Sequence, residues 1–275
     1  MKGSLVWASA LLSAACVQAN EWHAYYRLNA DAYQAKFDEM VEDGYRLNSV
    51  SGYEYEGEAN FAVIFEQRES AAWMSHSGLT FEEYDAKFQE YLDEGYHVVQ
   101  VNGYTIDDVD YYAAIWDKSP VGAWASRTGM SREYMQDYFD KYLEEGYIMT
   151  HVSGYERDGQ ALFAAVWEQR EAKHNWSSVG ELNAEDFQKE FDQKLEEGYR
   201  LVDVDGYQKD GTAYFVGIWN DSEACAWESR AELDSASFQE LFDKYREEGY
   251  ILRSFSGYNV GDEDRYAGIW VKPSV

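Results

Sequence analysis

Ten carboxylates recur as adjacent pairs 51 or 52 residues apart: Glu42-Asp43, Asp93-Glu94, Glu144-Glu145, Glu196-Glu197 and Glu247-Glu248, each directly before a Gly-Tyr. Neighbouring carboxylate oxygens suit a hard cation such as Ca²⁺, or a cationic ligand. Each pair falls in the last turn of an expected helix, where the macrodipole disfavours negative charge by about 0.3–1 kcal/mol per exposed group. Five repetitions of that placement ask for a compensating cation. These ten residues are therefore the candidate metal ligands, and Ca²⁺ is the one cofactor the sequence suggests. No Asp-x-Asp-x-Asp-Gly loop accompanies them. The competing reading is a solvated face, or contact with nearby arginines such as Arg46 and Arg200.

Other reactive side chains are less organised. His23, His76, His97, His151 and His174 share no repeat position and form no HExxH pattern. Cys225, in a connecting segment with no neighbouring His, reads as a passive thiol or an intermolecular partner. No Gly-x-Ser-x-Gly elbow and no phosphate loop occurs, so hydrolase and nucleotide-binding readings lack a motif, and no catalytic residue is assigned. Asn175-Trp176-Ser177 and Asn220-Asp221-Ser222 are glycosylation sequons, meaningful in a eukaryote. Regularly spaced Trp and Tyr read first as core anchors, with some hydroxyls left to line a concave site.

The elements that carry these residues repeat five times. Trp22, Trp73, Trp124, Trp176 and Trp227 open units 22–72, 73–123, 124–175, 176–226 and 227–275, of about 51 residues each. Seven residues on stand Asn29, Thr80, Ser131, Asn183 and Asp234, each a favoured helix N-cap; Thr80 with Glu83 forms a capping box. Phe37, Phe88, Phe139, Phe191 and Phe242 mark the helix centre, and Val41, Leu92, Leu143 and Leu195 extend the expected apolar face by one turn, with Arg246 breaking it in the fifth unit. Gly44, Gly95, Gly146, Gly198 and Gly249 are expected at positive φ, ending the helices. A strand follows to a second Gly-Tyr, then a hairpin turn, clearest at Asp158-Gly159 and Asp210-Gly211, and a return strand. The fold class is thus α+β, built of helix-strand-strand repeats. An open stack needs polar end units, and the first and fifth units keep most apolar anchors; a closed, propeller-like five-unit arrangement is expected.

The run "FDKYLEEGYIMTHVSGYERDGQALFAAVWEQR" resembles the bacterial tandem repeat domain, a Trp- and Gly-Tyr-rich repeat that also forms the non-catalytic N-terminal part of secreted fungal polyglycine hydrolases. The resemblance covers essentially the whole chain after residue 19. In those hydrolases the activity resides in a separate β-lactamase-like domain with a Ser-x-x-Lys motif. No Lys here has a Ser three residues before it. The resemblance implies a repeat domain standing alone and transfers no catalytic residue.

Lys2, the apolar run Leu5 to Ala15 and the small residues before Asn20 read as a secretory signal peptide over 1–19, leaving one repeat domain over 20–275. A lipoprotein reading through Cys16 is weaker, since Ser13 stands where Leu is expected. The chain has 52 Asp and Glu against 23 Lys and Arg, a formal net charge of −29, which repels nucleic acid and anionic membrane. No stretch is long and apolar enough to span a bilayer. With Cys225 alone after leader removal, the fold is expected to lack an intrachain disulfide. The function these features favour is a secreted, extracellular, non-enzymatic binding module, monomeric, presenting an acidic aromatic surface to a glycan or protein, the partner itself cationic. The alternatives are an enzyme with an unfamiliar site in the central funnel, built from Tyr, Glu and a single unit's His, and a structural calcium-binding matrix or surface protein.

Overall fold

The computed structural model describes residues 20–169, 174–222 and 225–273. The expected signal peptide lies outside them. Each unit contributes a strand, a helix and a hairpin: β1 (Glu21–Asn29), α1 (Ala30–Glu42), β2 (Arg46–Tyr55) and β3 (Glu58–Gln67) in the first. The second has β4 (Trp73–Leu79), α2 (Phe81–Asp93), β5 (His97–Ile106) and β6 (Val109–Asp117). The third has β7 (Trp124–Ser131), α3 (Arg132–Glu144), β8 (Tyr147–Arg157) and β9 (Gln160–Gln169). The fourth has β10 (Trp176–Asn183), α4 (Ala184–Glu196), β11 (Arg200–Lys209) and β12 (Thr212–Asn220), and the fifth β13 (Trp227–Leu233), α5 (Ser235–Glu247), β14 (Ile251–Val260) and β15 (Glu263–Val271).

The Trp segment is itself a strand, which corrects the expected helix-strand-strand unit. Each sheet has three antiparallel strands with the return strand in the middle, as in the order β1-β3-β2. The edge strand hides its alternation because it bulges: the register shifts between Tyr25 and Leu28 and at the four equivalents, and the residue five after each Trp has positive φ. Only Gly78 and Gly129 among those five announce the kink; Arg27, Glu181 and Glu232 do not.

The five N-caps accept backbone bonds as expected, for example Ala32 N–H to Asn29 Oδ1 at 3.0 Å. At the other end, Gly44 N–H donates to Val41 O at 3.1 Å and Tyr45 N–H to Met40 O at 2.9 Å, the Schellman pattern. That motif packs the residue after the glycine onto the third residue from the helix end, so Met40, Tyr91, Tyr142, Lys194 and Tyr245 face inward. The pairs Tyr91–Tyr96, Tyr142–Tyr147 and Tyr245–Tyr250 have ring centroids 5.5, 5.2 and 5.5 Å apart. The expected extension of the apolar face is corrected by one residue: Val41 is 41 % exposed against 3 % for Met40, and Leu92, Leu143 and Leu195 are likewise exposed.

Packing within each unit continues into its neighbours. All five apolar clusters draw buried side chains from two units, and one of them joins the fifth unit to the first through Phe238, Tyr266, Tyr53 and Ile64. Each helix-centre Phe meets the next unit's Trp: Phe37–Trp73 at 5.9 Å, Phe88–Trp124 at 5.7 Å, Phe139–Trp176 at 5.5 Å and Phe191–Trp227 at 5.9 Å. Phe242 meets Trp22 of the first unit at 5.4 Å. The second strand of every unit packs on that of the next, and β14 packs on β2.

Candidate functional site

The second Gly-Tyr of each unit brings those second strands together. Gly52, Gly103, Gly154 and Gly206 each lie under the Tyr of the following unit (Tyr104, Tyr155, Tyr207 and Tyr258), and Gly257 lies under Tyr53. Any Cβ would overlap the ring. The residue before each of these glycines is buried and polar: Ser51, Asn102, Ser153, Asp205 and Ser256. Each accepts the glycine N–H of the unit before it. Gly52 N–H donates to Asn102 Oδ1 at 2.7 Å, Gly103 to Ser153 Oγ at 3.2 Å, Gly154 to Asp205 Oδ2 at 3.0 Å and Gly206 to Ser256 Oγ at 3.0 Å. Gly257 N–H donates to Ser51 Oγ at 3.1 Å.

Two residues earlier runs a second polar row, Ser49, Gln100, His151, Asp203 and Ser254, and here the units differ most. His151 Nδ1 lies 2.9 Å from Asp203 Oδ2 and Nε2 lies 3.2 Å from Val101 O. Both neighbours are acceptors, an arrangement that favours the protonated ring. Burial opposes that charge, but the Asp203 carboxylate, its hydrogen bond and Asp205 outweigh it, and the pKa is raised. Burial pushes Asp205 up to about 6, although Ser256, Ser153, the Gly154 N–H and His151 favour its ionised form.

Two openings flank these rows. On the hairpin side a cavity of about 370 Å³ is lined by the second Gly-Tyr of all five units, with Asn102 and Asp205 among its wall residues. Glu54, Asp107, Asp108, Glu156 and Asp158 also line it, against one cation among the described residues, Arg157, which is paired with Asp110 at 2.6 Å. Asp107 and Asp108 form the two-residue turn between β5 and β6 and have φ of +49° and +60°, a conformation that Asp-Gly fills in the third and fourth units. The Tyr hydroxyls are turned away into the core, as in Tyr53–Tyr266 at 2.9 Å and Tyr112–Tyr155 at 3.0 Å. On the opposite side a cavity of about 310 Å³ is lined by Arg46, Arg68 and Arg253 together with His151 and Asp203.

The acid pairs are in neither cavity. All ten residues are exposed, at the last helical positions and C-caps of α1 to α5. Among the described residues no group of three or more His, Cys, Asp or Glu side chains is placed to hold a metal ion. Nor do the expected arginines reach the acid pairs. Arg46 is buried 3.5 Å from Asp117, and Arg200 Nε donates to Ser222 at 2.9 Å. Lys194, 3.1 Å from Glu197, offsets the helix dipole locally in α4. Cys225 is disulfide-bonded, which corrects the expectation of a lone thiol.

A chain of five like α+β units, each packed on the next through one Gly-Tyr and one Phe-Trp contact, is a tandem-repeat protein. The family described as polyglycine hydrolase-like, structural repeat, matches residues 19–68, 70–119, 121–170, 173–222 and 225–273, and the chain belongs to it. Sequence reading found the repeat, the caps and both Gly-Tyr positions. It missed the polar rows and the arginine mouth, because their residue types change from unit to unit. The detectable signal was position: the residue before every second Gly is small or amide-like and polar.

Proposed function

We propose that this chain is a secreted, non-enzymatic binding module whose five units close into a propeller-like ring. The hairpin-side cavity receives a cationic group presented by an extracellular glycan or protein. What carries the reading is the cavity of about 370 Å³ to which every unit contributes its second Gly-Tyr and which acids surround. Such a wall is concave, so a cation entering it meets several carboxylates at once. Closure is supported by the contacts of the fifth unit with the first, Phe242 on Trp22 and Gly257 under Tyr53, which repeat those between consecutive units. Secretion rests on the leader-like residues 1–19.

The enzymatic alternative draws on His151 and Asp203, the one His in the interior rows. Both nitrogens of His151 face acceptors within the protein, Asp203 and the Val101 carbonyl, which leaves neither turned toward a substrate. It reads as a structural link to Asp203.

The test is a glycan and peptide array probed with the mature protein and with Asp107→Asn/Asp108→Asn, which keeps side chains tolerant of positive φ while removing two rim charges. Binding to cationic ligands that weakens in the variant is the expected result. Binding that ignores the rim charges, or is confined to neutral ligands, would sink the cavity assignment.

A further inference from the structure

The mouth opposite the hairpins departs from the repeat in charge. Its wall includes the residue at the bulge of every second strand: Asn48, Val99, Thr150, Val202 and Arg253. A bulge re-aims its side chain, which here places all five on one opening. Four units supply a neutral residue, and the fifth supplies a guanidinium. Arg46 and Arg68 of the first unit line the same cavity of about 310 Å³.

These three arginines share two carboxylates, Glu66 and Asp117, and Asp117 and Asp203 also line the cavity. Arg253 and Arg68 share one carboxylate: Arg253 Nη1 bonds Glu66 Oε1, and Arg68 Nε lies 3.3 Å from Glu66 Oε2. Arg46 stands 3.5 Å from Asp117, a carboxylate that His97 also approaches at 3.6 Å. Arg253 Nε is buried and has no hydrogen-bond partner among the described residues. Burial lowers the pKa of Arg253 against the opposing pull of Glu66, with Arg68 adding to the lowering, and at Arg46 burial and then the charge of Arg68 act in the same direction. Like charges converge here in a chain whose overall charge is −29. Gln100, Thr150 and Ser254 add polar groups to the wall.

We propose that this mouth is an anion site for a compact tetrahedral oxyanion of the phosphate class. Three guanidiniums from two different units can donate to separate oxygens of one such ion, and charge-assisted bonds of this kind are about twice as strong as neutral ones. The ion would also bridge the first and fifth units, since Arg46 and Arg68 belong to one and Arg253 to the other. The site is distinct from the hairpin-side cavity, and its existence does not depend on what that cavity binds.

The test is titration of the mature protein with inorganic phosphate, followed by isothermal calorimetry and by melting temperature, with NaCl at matched ionic strength as the control. Phosphate is expected to raise the melting temperature where NaCl does not. Arg253→Val, the residue found at the equivalent place in the second and fourth units, should weaken phosphate affinity by about tenfold or more. Arg68→Gln, a change at a partly exposed side chain, keeps the test meaningful if Arg253→Val is unstable, and should also weaken binding. Arg132→Gln, an exposed arginine of α3, should bind as the parent does. Equal shifts in phosphate and NaCl, or phosphate binding that survives both Arg253→Val and Arg68→Gln, would overturn the assignment.

Discussion

At Gly146 the backbone φ is +78° and an added Cβ would meet nothing within 4 Å; at Gly154 φ lies outside the left-handed region and an added Cβ would stand 2.6 Å from Tyr207. The same dipeptide, Gly-Tyr, occurs at both places in all five units. In the first, glycine supplies a conformation, and its Tyr closes the helix against the residue at the third position from the end. In the second, glycine supplies room, so that a Tyr of the adjoining unit can lie flat on the backbone. The first is a local device of one unit, and the second is a joint between units. One residue type, chosen for two unrelated physical reasons, accounts for both the uniformity of the repeat and its assembly.

The contrast can be broken by substitution. Gly154→Ala should be the more damaging, by about 3 kcal/mol, because a rigid Tyr207 ring and a β-strand must both move. Adding Tyr207→Leu should recover part of that loss in urea denaturation. A single variant as stable as the parent would show that the joint is loose.

Asp205→Asn probes the polar partner of the same joint. Burial raises its carboxyl to about 6 from an ordinary 3.8. A raised folded pKa means that the contribution is fully present below about 3.8 and is lost as pH rises through about 6. Ionised Asp205 then costs up to about 3 kcal/mol. Asn102 holds the equivalent position in the second unit, so an amide fits there. Asp205→Asn should therefore be the more stable protein at pH 7, with the advantage vanishing near pH 4. An advantage independent of pH would contradict this account of the buried carboxylate.

Gly146→Ala should cost less than Gly154→Ala, about 1–2 kcal/mol, through φ alone. No neighbouring truncation should rescue it, whereas Gly146→Asn should be milder. The smallest effect is expected at the rim, where Asp108 holds φ of +60° without being glycine. Asp108→Gly should raise stability by about 0.5–1 kcal/mol while removing one acid from the cavity wall. A loss of stability would mean that Asp108 makes a stabilising interaction worth more than its strain.

The repeat and its caps were legible because they depend on single residue types at fixed places. Asn29, Thr80 and Asp234 are strong N-caps before an apolar run, and Gly44 and its equivalents follow that run where a helix must end. The inward position at the helix end was misread by one residue because Val41 and Leu92 are more apolar than Met40 and Tyr91 look, while the Schellman geometry decides which of them faces in. The first strand went unseen because a bulge interrupts its alternation at Arg27, Glu181 and Glu232, residues that carry no turn signal. The acid pairs drew attention through regularity, yet they are exposed and lie outside both cavities. His151, Asp203 and Arg253 were inconspicuous in sequence because each occurs in a single unit.

The central claim is that the joint between the fifth unit and the first is equivalent to the other four. The amide hydrogens of Gly52, Gly103, Gly154, Gly206 and Gly257 report on it one by one, since each donates to a side chain of the neighbouring unit and Gly257 donates to Ser51. Native-state hydrogen exchange of these five amides by NMR should give comparable protection, because opening any joint requires the same separation of Gly from Tyr. Rapid exchange at Gly257 alone, with the other four protected, would mean that the first and fifth units do not stay together and that the five units form an open array.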